Sequence, residues 1–343
     1  MFTALRNSPR LLIEVPLQPV HGDGHRFQPT GFPHIGAAVY ERPDGKRILL
    51  VESAQSVANR LEAICTEGCS ARIIRELEGI PYVVVKLAGA ADLETSSLVE
   101  AHRLNSPFII TNGDFQARFQ EKSGYAKGTR LDWQKIAQAV FFFDPNCLLH
   151  GVFMANLEDG RIKMPRAVTG FIEAEGVREA ASGGVKKSFF DPSGKIRAAT
   201  YDKNVYGNVP FDRTEYVAER ITAYFNVDLA LLRGYGLPEE GQTLLTALAL
   251  YKIRRFLDVG LRLRTACDFR AGEPAVAEPT GFTLPTEAEL LTTVQGQIQA
   301  CRQKSLFAQP PVTTLKMDTV RKEEKAGLQE GTGESTSSEP ADA

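Results

Sequence analysis

The 343-residue chain has no basic excess: 40 Lys plus Arg stand against 42 Asp plus Glu, a net charge of -2. A protein that coats nucleic acid through charge alone carries an obvious surplus of Lys and Arg, so that mode of binding is excluded. The average hides a division. From Asp318 onward there are seven acids against three bases, a net of -4, which leaves +2 on residues 1–317. Cysteine is scarce as well. Cys65, Cys69, Cys147, Cys267 and Cys301 are an odd and scattered set, and the Cys65–Cys69 spacing has no second pair to complete a zinc site. No N-terminal stretch has the layout of a signal peptide and no apolar run reaches membrane-spanning length, so a cytoplasmic protein with free thiols and no membrane partner is expected. Neither a G-x-S-x-G elbow nor a G-x-x-x-x-G-K-[ST] phosphate loop occurs, and there is no internal repeat. His21, His25 and His34 form the single histidine cluster, and a metal there would need a further ligand such as Asp23. Loop histidines beside glycine are more often simply exposed, so neither metal nor cofactor is expected.

What is present is ample apolar material. At 43% hydrophobic residues, the chain can bury one large core or two modest ones. Strand-like runs recur at 11–15, 36–41, 47–52, 82–86, 141–144, 148–155, 166–174 and 219–232, and PDG at 43–45 signals a hairpin. Helical periodicity covers 54–65, about 133–140, 243–257 and 286–303. Helices interspersed with hairpins predict an α+β fold with a mostly antiparallel sheet. Residues 16–35 and 175–214 read as irregular, the second long enough to be functional or disordered. Beyond Pro310 the aromatics disappear, which predicts a folded body over 1–309 and a disordered acidic tail over 310–343.

Three stretches suggest contact with an anion. In VESAQSVANRLEAI (51–64), Val57, Leu61 and Ile64 make a core face and Ser53 is a plausible N-cap. Gln55, Ser56, Asn59 and Arg60 then line a polar stripe at a positive helix end, where a phosphate could sit. A capped, half-exposed surface helix fits the same residues. In GLRLRT (260–265), a strand would present Arg262 and Arg264 on one face, suited either to phosphate oxygens or to plain solvation. In SGGVKKSFF (182–190), a glycine pair precedes Lys186 and Lys187, and Phe189 or Phe190 could stack a base. Separated polar and basic elements without a catalytic set favour binding over chemistry.

Several blocks in one order go further. RFQPTGFPHIGAAVYE, LLVESAQSVANRLE, LLHGVFMA, PRAVTGFIEAEG, GGVKK, GNVPFDRTEY, ITAYFNVDLALLRGYG and LALYKIRRFLDVGLRLRTACDF run from Arg26 to Phe269. Together they resemble the type I-U (I-G) CRISPR-associated RAMP family, the backbone subunits of that subtype's Cascade complex. The resemblance implies an RRM-like (ferredoxin-like) β-α-β-β-α-β palm with large insertions, one of them a thumb, for which 175–214 is the candidate. It implies a protein that is not an enzyme and that polymerises in a helical filament of its own copies along one CRISPR RNA. The partners implied are target DNA through the guide, other Cascade subunits and a recruited helicase-nuclease. The RNA-binding residues expected on this basis are Ser53, Gln55, Ser56, Asn59, Arg60, Arg166, Thr169, Lys186, Lys187, Arg213, Arg262 and Arg264. A RAMP-family ribonuclease acting on guide or target RNA is the alternative, with Asp191 and Asp202 in the candidate thumb as its acidic residues. No histidine follows His150 to support it.

Overall fold

A computed structural model describes residues 2–32, 34–68, 70–88, 93–193, 195 and 208–317. The chain enters on strand β1 (Leu11–Pro19), turns through the short strand β2 (Val39–Glu41) into β3 (Arg47–Glu52), and passes to helix α1 (Ala54–Ala63). Strand β4 (Tyr82–Leu87) and helix α2 (Trp133–Phe143) follow. Four strands come next: β5 (Val168–Glu175), β6 (Arg178–Lys186), β7 (Val209–Val217) and β8 (Arg220–Val227). Helix α3 (Glu239–Asp258) leads to β9 (Leu261–Arg264) and β10 (Cys267–Ala271), and helix α4 (Glu287–Gln303) precedes β11 (Val312–Met317).

The main sheet has the order β9-β10-β1-β8-β5-β3-β2, antiparallel throughout, with strand Ala275–Glu278 also pairing β1. Alternation sorts its faces. Leu11, Ile13, Val15 and Leu17 are buried with Ile172, Ala223 and Phe225 against α3, while Glu14, Pro16 and Gln18 point the other way into solvent. Each such buried aliphatic side chain contributes about 1.5–3 kcal/mol of transfer free energy, which favours this face over any one-residue slip. Gly170 is required by the closeness of β5 to β8, because a Cβ there would stand 2.6 Å from the Phe225 ring.

The sheet curls until its two margins meet. Segment 27–30 bridges the gap: Phe27 exchanges backbone hydrogen bonds with Tyr216 (2.8 and 2.9 Å), Gln28 N donates to Ala266 O (2.8 Å), and Thr30 N donates to Val51 O (3.3 Å). The stretch 16–35 is therefore less irregular than its composition suggests, since β1 runs to Pro19 and 27–30 is tied down by backbone bonds.

Four further expectations need correction. FFFD at 141–144 does not form a strand, because Phe141 and Phe143 complete α2 and are buried, Phe143 edge-on to Phe115 at 5.3 Å. Packing thus overrides the β preference of three consecutive aromatics. The run 148–155 is divided between helix Asn146–His150 and a two-residue strand, Val152–Phe153. The run 219–232 breaks at Asp228, whose side chain accepts from Leu231 N at 2.8 Å and caps helix Leu229–Gly234.

The candidate thumb begins as a pair of strands. Strands β6 and β7 pair from Arg178↔Val217 to Lys186↔Val209 as a two-stranded arm. Gly176, at φ 66°, makes the turn between β5 and the arm, and a Cβ there would lie 2.5 Å from Glu219. The expected boundary at 310 also moves. Residues Val312–Met317 form β11, parallel to β4, so the body extends to Met317, and 318–343 lies outside the described residues, as do Cys69 and Asp202. Cys65, Cys147, Cys267 and Cys301 are buried free thiols. No helix among the described residues is long and apolar enough to cross a membrane.

Candidate nucleic-acid interface

The meeting of the sheet margins is organised by one carboxylate. Glu52 ends β3 with no exposed fraction, and it accepts from Arg60 Nε at 2.8 Å and from Ser56 Oγ and Arg264 Nη2. A buried carboxylate persists when its lone pairs are filled by charged donors, and here two guanidiniums and a hydroxyl fill them. Arg60 reaches on to Leu263 O (2.6 Å) and Arg264 to Gln28 O (3.2 Å), so the same two side chains stitch α1, segment 27–30 and β9 together. Burial lowers the pKa of Arg60. Burial also pushes the thiol of Cys267, beside Arg264, up to about 11.

Beside this knot lies an open cleft of about 780 Å³ at the foot of the arm. Its walls are the 19–27 loop, the start of the arm and the β9–β10 hairpin, and they contribute Arg26, Arg213, Arg262, Arg264, Glu215 and Asp268, with His21 and His25 on the loop side. Glu215 is only 2% exposed and takes Arg26 Nε at 2.8 Å and Arg213 at 2.8 and 2.5 Å. Two buried glutamates therefore each hold two arginines in fixed positions, and Arg262 completes the set without an ion pair among the described residues. Guanidiniums held this way bind an anion without losing further side-chain freedom, which favours phosphate recognition.

The expected residues fall into three groups. Arg213, Arg262 and Arg264 meet in the cleft, and Ser56 and Arg60 lie just behind it on Glu52. Ser53 caps α1 as read, accepting from Ser56 N at 3.2 Å. Arg60, however, does not point away from the body with Asn59. Its guanidinium turns back to the Glu52 carboxylate and to Leu263 O, so its charge is met within the protein. A second patch holds Gln55, Asn59 and Arg166, with Gln55 donating to Asn59 at 2.9 Å and accepting from Arg166. Thr169 lies apart on β5, and Lys186 and Lys187 are exposed at the far end of the arm near Phe189 and Phe190, 94% and 85% exposed.

Reading the sequence missed Arg26, Glu52, Glu215 and Asp268. The signal for Glu215 was present in DRTEY, where Arg213 and Glu215 share a strand face at i, i+2. For Glu52 it was a carboxylate closing the apolar run RILLVE directly before a helix cap.

Residues 11–179, just under half of the chain, match the family described as "CRISPR-associated protein GSU0053 (Cas_GSU0053)". The matched residues run from β1 to the first residues of the arm. Among solved structures it is similar to a chain of a "CRISPR RNA-guided surveillance complex, pre-nicking", at 14% identity and a TM-score of 0.40 over 95% of this chain and 89% of that one. No curated protein matches it.

Proposed function

We propose that this protein is the guide-RNA-binding backbone subunit of a CRISPR Cascade complex, a cytoplasmic binding protein and not an enzyme. The observation that carries the reading is the cleft, where the arm, the 19–27 loop and the β9–β10 hairpin bring four arginines together around one open space. A cleft of that charge, in a chain with no overall basic excess, suits local contact with a sugar-phosphate backbone. The strand order β10-β1-β8-β5, with helices between β1 and β5 and between β8 and β10, supports an RRM-like palm of β-α-β-β-α-β form. The arm grows from the connection between β5 and β8 and is the thumb of this reading, with Lys186 and Lys187 at its end. Copies joined along one guide would gain affinity through multivalency, leaving base edges free to pair with target DNA. Other Cascade subunits and a recruited helicase-nuclease complete the partners. The test is binding of purified protein to unrelated guides of equal length: affinity is expected to fall steeply with salt and to vary little with sequence, and a strong preference for one sequence would count against it.

A ribonuclease is the second reading, favoured by His21 and His25, whose rings lie 6.1 Å apart on the loop side of the cleft that Asp268 also lines. Labelled RNA incubated with the protein, with and without divalent metal, separates the two. A binder shifts the RNA; a nuclease shortens it.

A further inference from the structure

The cleft contains one carboxylate that the phosphate-binding reading does not explain. Glu215 is buried under Arg26 and Arg213, so its charge is spent within the protein. Asp268 differs: it lines the same cleft, half-buried, and among the described residues its carboxylate makes neither a hydrogen bond nor an ion pair. Arg262 is its cross-strand neighbour on the β9–β10 hairpin, yet the two side chains do not pair. The backbone around Asp268 is fixed, because its carbonyl accepts from Val20 N at 3.1 Å and ties the hairpin to the 19–27 loop.

A free carboxylate among arginines opposes a ligand made of phosphate alone, since a phosphodiester offers no donor and adds like charge. Its presence is favourable only where the ligand donates a hydrogen bond at that point. Base amino groups donate, but their positions change with sequence, whereas every ribonucleotide carries a 2′-hydroxyl. Resting on the RNA-binding reading above, we propose that Asp268 accepts a hydrogen bond from a ribose 2′-hydroxyl, so that the cleft selects RNA over DNA while remaining indifferent to sequence. Arg262 and Arg213 hold the flanking phosphates, and Asp268 reads the sugar between them.

The experiment compares three oligonucleotides of one sequence and length by fluorescence anisotropy at constant salt: RNA, DNA, and RNA methylated at every 2′-oxygen. The methylated strand keeps the ribose but has no donor. Wild-type full-length protein is expected to bind RNA about tenfold more tightly than either of the others, the scale of one charge-assisted hydrogen bond. In Asp268→Ala the three affinities are expected to converge, mainly because DNA and methylated RNA bind better once the repelling charge is gone. Asp268→Asn, which keeps an acceptor oxygen, retains part of the preference. An unchanged ratio in Asp268→Ala, or salt-dependent binding of all three strands with equal affinity by the wild type, would overturn this inference and leave RNA binding standing. Failure of the wild type to bind any of the three would overturn both. Because the Asp268 carboxylate makes no hydrogen bond or ion pair among the described residues, a matching thermal transition is expected for the variants.

Discussion

Glu52 on β3 and Arg264 on β9, with four strands of the main sheet between them in its order, form an ion pair. An ion pair across that separation exists only because the sheet curls, and it closes the curl from the side where the cleft opens. Arg264 therefore owes its position in the cleft to a carboxylate that never reaches solvent, as Arg26 and Arg213 owe theirs to the buried Glu215.

Removing that carboxylate is the first test of this architecture. Glu52→Ala leaves Arg60 and Arg264 facing each other without their shared acceptor, and the loss of a buried partner costs about 3 kcal/mol or more. Urea denaturation is expected to show a lower midpoint of that size with an unchanged slope. A loss below about 0.5 kcal/mol, the range of ordinary surface changes, would mean that the margins are held by segment 27–30 alone.

Arg262 is predicted to behave in the opposite way. It is exposed and without an ion pair among the described residues, so Arg262→Ala is expected to leave the thermal transition in place. Its effect falls on RNA: weaker binding for every sequence, and a salt dependence shallower by about one counterion. A variant that melts early but binds normally would make Arg262 a structural residue.

Glu175 offers a pH test at the base of the arm. Lys46 at 2.5 Å, with Arg220 and Arg42 each at 2.8 Å, lowers its pKa to about 2 from an ordinary 4.5. A depressed carboxylate pKa stabilises the fold above the unfolded value and loses that contribution as pH falls through the folded value. Glu175→Gln should then melt at a lower temperature than wild type at pH 7. The gap should narrow below about pH 4.5 and close near pH 2, in paired melting curves. A gap that stays constant with pH would assign the effect to packing.

These residues also show where the sequence was legible. RILLVE and RAVTGFIEA alternate or run apolar as sheet strands do, and Ser53 signalled the start of α1, so the antiparallel sheet and its first helix could be read directly. FFFD could not, because whether three phenylalanines pair in a sheet or pack on Phe115 depends on partners distant in the chain. The cleft was half legible for a similar reason. Arg213, Arg262 and Arg264 stood out as cations, but their convergence follows the curl of the sheet, which brings Arg264 onto Glu52, a residue that looked like the end of a strand. Arg60 was read from helical phase alone, which gives the direction of a Cβ but not the reach of a guanidinium toward a carboxylate eight residues earlier.

The claim that copies of this protein assemble along one guide RNA makes particle mass a function of guide length. The protein is co-expressed with guides of increasing length, the complexes are purified, and their masses are measured by light scattering or native mass spectrometry. The expected result is a stepwise rise, one further copy for each fixed increment of guide. The same series made with residues 187–208 replaced by a short glycine linker, which removes the far end of the arm and keeps its paired base, is expected to lose the steps. Growth in both series would spare the backbone reading and remove the arm as the coupling element. A wild-type mass that stays constant as the guide lengthens would contradict the claim itself.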